Sequence, residues 1–220
     1  MFITFEGIEG CGKTTQINLM GSFLDTKGLP YIITREPGGT KIGEEIRKIL
    51  LSSQNKDMSF TTELFLYLAS RAQHIKEVIE PALVTKKIVL CDRFSDATIA
   101  YQVYARGIDL KLVNKLNQLA TSGLTPDITI LIDCPVDVGI ARAIGRINSE
   151  ANQARQDRFE REDKKFHEKV REGYLKVAKE KNERIIVIDG TKDRDIIHHE
   201  ICEIVFPKIV GKDSAVSHQL

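Results

Sequence analysis

The chain has 220 residues, of which 42% are hydrophobic and 29% charged, and its 32 basic and 31 acidic side chains leave a net charge of +1. These values are typical of a globular protein and argue against disorder, a collagen-like chain or a coiled coil. The balanced charge gives no support to a general nucleic-acid binder. No apolar run approaches the roughly 20 residues that span a bilayer, and residues 1–6 lack the regions of a signal peptide. We therefore expect a cytoplasmic protein.

Short apolar runs alternate along the chain with longer segments of helical periodicity. The runs lie at 2–5, 30–34, 88–91, 127–133 and 184–189. Their nearly continuous apolar character is typical of strands buried on both faces of a parallel sheet. The helical segments lie at 13–26, 41–51, 62–85, 110–122 and 135–147. This alternation predicts βαβ units and a single doubly wound α/β domain over residues 1–210, with helices on both faces of a five-stranded parallel sheet.

Two segments differ from this pattern. Residues 142–165 contain seven basic side chains, and the middle of that stretch, 148–154, has almost no apolar content. Such a polar insert contributes little to a core, so we expect it to be mobile. Residues 211–220 are also polar, and we expect a frayed C-terminal tail.

A phosphate-binding loop follows the first predicted strand. Residues 7–14 match the pattern G-x-x-x-x-G-K-[ST] in full and lie between a strand and a helix, as the motif requires. Backbone N–H groups of such a loop surround phosphate oxygens at a helix N-terminus. Lys13 would reach the β- and γ-phosphates of a nucleoside triphosphate, and the Thr14 hydroxyl would ligate Mg²⁺. The predicted loop contacts are Gly7, Ile8, Glu9, Gly10, Cys11, Gly12, Lys13, Thr14 and Thr15.

An aspartate follows the third apolar run. Asp92 lies at the carboxyl end of a predicted strand, where a Walker-B carboxylate holds the hydration shell of Mg²⁺. The alternative is a surface aspartate that caps the next helix. We predict that Asp92 and Thr14 form the metal site.

Several further motifs resemble one known family. They are Phe5-Glu6-Gly7 with the P-loop, Thr34-Arg35-Glu36-Pro37-Gly38-Gly39-Thr40, Arg71-Ala72-Gln73, Asp92-Arg93-Phe94 and Ala100-Tyr101-Gln102. Together they resemble the thymidylate kinases, over about residues 5–190. The resemblance implies a three-layer P-loop NTPase fold, and transfer of the γ-phosphate of ATP to dTMP with Mg²⁺ to give dTDP and ADP. It also implies a homodimer built on helices.

The chemistry of such a transfer requires cations around two phosphates. The acceptor phosphate is already a nucleophile, so catalysis reduces to charge neutralisation and in-line positioning. The resemblance places Arg35 and Arg93 on the acceptor phosphate and Glu9 near the 3′-hydroxyl of dTMP. The alternatives are surface salt bridges for the two arginines and a solvated loop charge for Glu9.

The base pocket is implied by two pairs of residues at helical spacing. Tyr67 and Arg71 are four positions apart, as are Thr98 and Gln102, so each pair shares a helix face. By resemblance, Tyr67 stacks on thymine, Arg71 bonds a base carbonyl, Thr98 and Gln102 complete the base contacts, and Tyr101 packs on the deoxyribose. The alternative for Tyr67 is ordinary core packing. Arg71 has apolar neighbours and requires a partner.

The polar insert corresponds by resemblance to a lid over ATP at about residues 142–160. Gly10 and Cys11 leave the P-loop without the arginine that one type of thymidylate kinase carries, so this chain resembles the type that relies on lid arginines. We predict catalytic roles for Arg146 and Arg155, with Arg142 stacking on adenine beside the turn 190–192 and Arg158 as a further source of charge. The alternative for each is a solvated helix face.

The four cysteines include no C-x-x-C pair, so we predict free thiols rather than disulfides or a zinc site. Cys11 lies beside Lys13, and such an electropositive position predicts a reactive thiol.

Two other functions compete with this one. A deoxynucleoside kinase shares the P-loop and the Asp-Arg pair, but it requires a carboxylate base for a neutral hydroxyl. A non-catalytic nucleotide switch would signal by ordering loops and would lack a pocket for a small acceptor.

Overall fold

Five parallel strands form the centre of the molecule. The chain is described by a computed structural model over residues 1–149 and 158–216, without the side chains of residues 146–149 and 212–216. The strands are β1 (Phe2–Glu6), β2 (Tyr31–Arg35), β3 (Ile88–Asp92), β4 (Ile128–Asp133) and β5 (Ile185–Asp189). Their order is β2-β3-β1-β4-β5, and neighbouring strands are parallel. This confirms the predicted fold class.

The helices follow the strands as βαβ units require. They are α1 (Lys13–Thr26), α2 (Lys41–Leu51), α3 (Phe60–His74), α4 (Glu80–Val84), α5 (Ser95–Thr98), α6 (Leu110–Thr121), α7 (Val136–Ser149), α8 (Lys164–Glu180) and α9 (Arg194–Val216). Helices α1 and α2 have the predicted bounds. The single helix predicted over 62–85 is a continuous helical stretch in which a π-helical segment, Ile75–Ile79, joins α3 to α4. A second π-helical segment, Ile99–Ala105, continues α5.

Two helices differ from the expectations for polar segments. Helix α7 continues to Ser149, into the segment predicted as a mobile insert, and α9 continues to Val216, into the predicted tail. Helix α8 was not predicted, because its many charges obscure an apolar stripe at helical spacing that is buried in the structure: Phe166, Val170, Tyr174 and Val177. Among the described residues, no helix combines the length and apolar character of a membrane span.

Both faces of the sheet are covered. Successive side chains of a strand point to opposite faces, and in β3 Leu90 belongs to the larger apolar cluster whereas Val89 and Cys91 belong to the smaller one. All three side chains are inaccessible to solvent. In β1, Ile3 belongs to the larger cluster and Phe2 belongs to the smaller one. The strands are therefore sandwiched between layers, as their apolar character predicts.

The strand register collects the chemical groups at one edge. Phe5 is paired with Asp92, and Arg35 is paired with Asp92 from the other side. The P-loop after β1, the Asp92-Arg93 pair after β3 and Arg35 in β2 consequently lie together at the carboxyl edge of the sheet, where ligands of open α/β sheets bind.

Candidate active site

The P-loop is packed tightly against α7. Gly10 has a φ of +68°, and a Cβ atom there would lie 2.0 Å from the carbonyl oxygen of Gly139. Only glycine accommodates both the left-handed backbone and this close contact. Gly12, with a φ of 106°, precedes the first residue of α1. The loop therefore presents the N-terminus of α1, a position that favours anions.

Lys13 and Thr14 lie where the motif predicts. The buried Lys13 Nζ donates hydrogen bonds to the carbonyl oxygens of Gly7 (3.1 Å) and Ile8 (2.8 Å), which hold the ammonium against the loop. Thr14 Oγ1 donates to Asp92 Oδ2 at 3.1 Å. The structure thus brings the two predicted metal ligands together.

A cavity of about 340 Å³ is lined by the P-loop, and we call it the donor cavity. Its lining includes Gly10, Cys11, Gly12, Lys13, Thr14, Thr15, Arg142, Gly190 and Lys192. Arg142 Nη1 donates to the carbonyl oxygen of Gly190 at 3.3 Å. The structure therefore joins Arg142 to the turn that was predicted to accompany it.

A larger cavity of about 840 Å³ is also lined in part by the P-loop, and we call it the acceptor cavity. Every residue predicted to contact the acceptor lines it: Glu9, Arg35, Tyr67, Arg71, Arg93, Thr98, Tyr101 and Gln102. Asp92 lines it as well. Gly10, Lys13 and Thr14 line both cavities. The two cavities consequently meet at the P-loop.

Arg71 has the buried partner that its apolar surroundings require. Its side chain is 2% exposed, and Nε donates to Glu36 Oε2 at 2.7 Å. Nη1 donates to Thr98 (2.8 Å) and Asn117 (2.7 Å), and Nη2 donates to the carbonyl oxygen of Phe94 (3.0 Å). These bonds engage four of the five guanidinium N–H groups. Within the described part of the chain the fifth, on Nη2, has no hydrogen-bond partner, and Arg71 lines the cavity described above.

Arg93 and Glu9 form an ion pair inside the acceptor cavity. Arg93 Nη2 donates to Glu9 Oε1 at 3.1 Å, and Tyr101 Oη donates to the same oxygen at 2.5 Å. Burial alone would raise the pKa of Glu9, but Arg93, His167 and Lys13 together lower it below its usual range. Glu9 is therefore a carboxylate at neutral pH. Arg93 Nη1 also donates to the hydroxyl of Tyr174 at 2.8 Å, which fixes the guanidinium.

The remaining predicted acceptor residues differ in how firmly they are held. Gln102 Nε2 donates to the buried Glu63 at 2.9 Å. Arg35, by contrast, has a side chain that is 54% exposed and donates to Glu44 at 3.0 Å. Such an exposed pair is weak and exchanges readily for another anion. Burial raises the pKa of the Tyr67 hydroxyl, with the charge of Glu63 adding to the effect, so this ring stays neutral.

Comparisons with known proteins agree with this geometry. The family model described as thymidylate kinase matches residues 5–201. The chain belongs to the thymidylate kinase family. It is an enzyme that phosphorylates dTMP to dTDP using ATP, which excludes the deoxynucleoside kinase and the nucleotide switch as readings of the sequence.

Individual thymidylate kinases match over nearly the whole chain. The thymidylate kinase of Geotalea daltonii is 54% identical over 210 residues, which cover 96% of this chain and 98% of that protein. The thymidylate kinase of Geobacter sulfurreducens is 50% identical over 208 residues, which cover 94% of this chain and 97% of that protein. A crystal structure of thymidylate kinase from Ehrlichia chaffeensis superposes with a TM-score of 0.73 at 35% identity, covering 93% of this chain and 98% of that one.

The arginines that were predicted to belong to a lid lie only partly within the described residues. Arg155 and the side chain of Arg146 lie outside the described residues. Arg158, expected as a further source of charge for the transfer, is instead buried: Nη1 lies 2.7 Å from Glu63 Oε2, and Nε donates to the carbonyl oxygen of Leu50 at 2.5 Å. In this structure the side chain pairs with Glu63 of α3 and does not line the donor cavity as described.

Several residues of the site were not predicted from sequence. Phe159 and Glu160, from the end of the lid segment, line the acceptor cavity. Glu36 lies in the motif of residues 34–40, and its position next to Arg35 is the sequence feature that could have indicated its role. Tyr174 and His167 lie on α8, which the sequence analysis passed over.

Cys11 faces the protein interior. It is 1% exposed, although Lys13 Nζ lies 3.6 Å from its sulfur. A buried sulfur is inaccessible to a reagent in this conformation, so the structure does not support the expectation of a reactive thiol. All four cysteines are free thiols in the structure.

Proposed function

We propose that ATP binds in the donor cavity, that dTMP binds in the acceptor cavity, and that the phosphoryl group passes between them beside Lys13. The observation that carries this proposal is that Gly10, Lys13 and Thr14 line both cavities. In-line transfer requires the attacking and leaving oxygens to meet at one point, and the shared loop supplies that point.

The cationic side chains divide between the two phosphates. Lys13, at the junction, neutralises charge on the transferring group. Arg93 and Arg35 bind the phosphate of dTMP, Arg93 from a fixed position and Arg35 after leaving its exposed pair with Glu44. The acceptor oxygen carries its own negative charge, so the residues position and neutralise it and abstract no proton.

The residues at the junction fit Mg²⁺. Magnesium prefers oxygen ligands and is held by one or two protein groups together with waters and substrate phosphates. Thr14 Oγ1 and Asp92 Oδ2, 3.1 Å apart, are such a pair. When bound, the ion would neutralise charge on the β- and γ-phosphates.

Recognition of thymine rests on groups that are fixed before the ligand arrives. The free N–H of Arg71 Nη2 donates to a base carbonyl, with Thr98 and Gln102 beside it, and Tyr67 supplies the stacking surface. Glu9 accepts a hydrogen bond from the 3′-hydroxyl, and Tyr101 packs against the deoxyribose. Because Glu36 fixes the guanidinium of Arg71, little entropy is lost on binding.

We assign the chain to the type of thymidylate kinase that uses lid arginines. The P-loop has Gly10 and Cys11 where the other type carries an arginine. Arg158 is committed to Glu63, so Arg146 and Arg155 stay as the proposed catalytic arginines and Arg142 as the adenine contact.

We also propose a cytoplasmic homodimer. Apolar side chains are exposed on helices that contact one another: Ile42 and Ile49 on α2, Phe65 on α3, and Leu112 and Leu119 on α6. Neighbouring helices that expose apolar side chains offer a surface for a protein interface. Sedimentation at several protein concentrations tests this state, and a monomer at micromolar concentration would contradict it.

The assignment of the two cavities has a direct kinetic test. Arg142→Ala should raise the KM for ATP and leave the KM for dTMP unchanged, since Arg142 lines the donor cavity and not the acceptor cavity. Tyr67→Ala should raise the KM for dTMP alone, while Tyr67→Phe, which keeps the ring, should match the parent enzyme. A crossed result, with Arg142→Ala affecting dTMP, would overturn the assignment.

A further inference from the structure

His167, on α8, contacts the carboxylate of Glu9 in the P-loop. The side chain of His167 is fully buried, and its Nδ1 lies 3.3 Å from Glu9 Oε2. Neither ring nitrogen has a hydrogen-bond partner among the described residues, and neither does Glu9 Oε2. The contact is therefore close but lacks hydrogen-bond geometry. A buried polar ring without other partners is costly, so its place against Glu9 requires an explanation.

The two oxygens of Glu9 are held from opposite sides. Oε1 accepts hydrogen bonds from Arg93 (3.1 Å) and Tyr101 (2.5 Å), both of which line the acceptor cavity. Oε2 faces His167, which is absent from the described lining of that cavity. The histidine thus contacts the carboxylate from the protein side, and the other two contact it from the ligand side.

This difference matters because Arg93 is also proposed to bind the phosphate of dTMP. An arginine that binds the acceptor phosphate gives up part of its interaction with Glu9, since its five donors are shared between two anions. His167 is not among the described residues that line the cavity, so a ligand there need not displace its contact with Glu9. Burial alone would lower the pKa of His167, but Glu9, with Glu160 and Glu162 adding to its effect, raises it above the usual value. The neighbouring carboxylates therefore favour the positively charged form of the ring opposite Glu9.

We propose that His167 is a positioning residue that holds the Glu9 carboxylate in place to receive the 3′-hydroxyl of dTMP. The inference rests on the proposed contact between Glu9 and that hydroxyl. It assigns His167 no contact with either nucleotide. A histidine that merely fills space in α8 would affect all acceptors alike, whereas a histidine that acts through Glu9 affects only acceptors that carry the hydroxyl.

The test compares dTMP with its 3′-deoxy analogue, and the quantity measured is the ratio of their kcat/KM values. His167→Asn keeps a polar N–H near the position of Nδ1, and His167→Gln moves it toward the position of Nε2. We expect the ratio of dTMP to its analogue to be highest in the parent protein, lower in His167→Asn and lowest in His167→Gln. In His167→Gln the ratio should be reduced about 10-fold, the effect typical of a lost contact to a charged group. The 3′-deoxy analogue itself should be used with similar efficiency by all three proteins.

Two controls separate the possible outcomes. Val170→Ala removes a buried side chain from the same helix without touching Glu9 and should leave the ratio unchanged. Glu9→Gln tests the underlying contact and should lower the ratio at least as much as His167→Gln. An unchanged ratio in His167→Gln, with a lowered ratio in Glu9→Gln, overturns the role of His167. An unchanged ratio in Glu9→Gln overturns the proposed contact with the 3′-hydroxyl, and the role of His167 with it.

Discussion

Thr14 and Asp92 are 78 positions apart in the chain, yet Thr14 Oγ1 lies 3.1 Å from Asp92 Oδ2. The contact follows from the strand order, because β1 and β3 are neighbours and each ends at the same edge of the sheet. A hydroxyl at the start of α1 and a carboxylate at the end of β3 therefore meet beside the P-loop. This pair is the proposed site of Mg²⁺.

Asp92→Asn should raise the Mg²⁺ concentration required for half-maximal activity. The substitution removes the negative charge that holds the ion but keeps an oxygen of similar size, so the fold is preserved. A titration of activity with MgCl₂ at saturating ATP and dTMP measures the effect. Asp137→Asn, at an exposed position on α7, is the matched control. An unchanged Mg²⁺ dependence in Asp92→Asn would remove Asp92 from the metal site.

Lys13→Ala should abolish turnover and leave the binding of dTMP within about a few-fold of the parent enzyme, because the removed charge acts on the transferring phosphoryl group. Calorimetry measures the binding, and a coupled assay of ADP release measures turnover. Lys176→Ala, which removes an exposed lysine of α8, should change neither. Substantial turnover by Lys13→Ala would show that another cation neutralises the transferring group.

Arg71→Ala should affect both substrate binding and stability. The substitution leaves Glu36 as a buried carboxylate that has lost its guanidinium partner, which costs about 3–5 kcal/mol in the free energy of unfolding. Urea denaturation measures that loss. The folded fraction should show a raised KM for dTMP, because the base has lost a donor.

The double variant Arg71→Ala with Glu36→Gln separates these two effects. It should regain much of the stability, since the buried charge is gone, and should keep the raised KM. A double variant with the parent KM would show that Arg71 does not contact the base.

The buried Glu6 should make stability depend on pH. Burial, with the carboxylate of Asp96 adding to it, raises the pKa of Glu6 from 4.5 to about 7. Between these two values the folded protein binds more protons than the unfolded chain does, so this contribution to the free energy of unfolding falls as the pH rises. Below pH 4.5 the contribution is fully present, and above pH 7 it is lost.

Comparison with Glu6→Gln isolates this contribution. The stability of the parent protein relative to Glu6→Gln should fall as the pH rises from 5 to 8, as measured by urea denaturation at several pH values. Glu45→Gln, at an exposed position, is the control and should show no such trend. A difference that does not vary with pH would show that Glu6 titrates alike in both states.

The fold was largely predictable because its signals are local. The five apolar runs all form strands, with bounds that agree within one residue at each end. Helix α8 was missed because its charged residues are numerous, although its buried residues keep the helical spacing. The acceptor residues were predicted by resemblance, and the structure places all eight of them around one cavity.

The sequence by itself determined the phosphate-binding loop, the strands and the motifs of the thymidylate kinase family, since each depends on neighbouring residues and on short periodicities. Only the tertiary structure decided which charges are paired. Arg71 pairs with Glu36, which lies 35 positions away in the chain, and Arg158 pairs with Glu63. His167 meets Glu9 from a helix that the sequence analysis had missed. Such partners depend on which elements pack against one another, and a buried charge is stable only where that packing brings it an opposite charge.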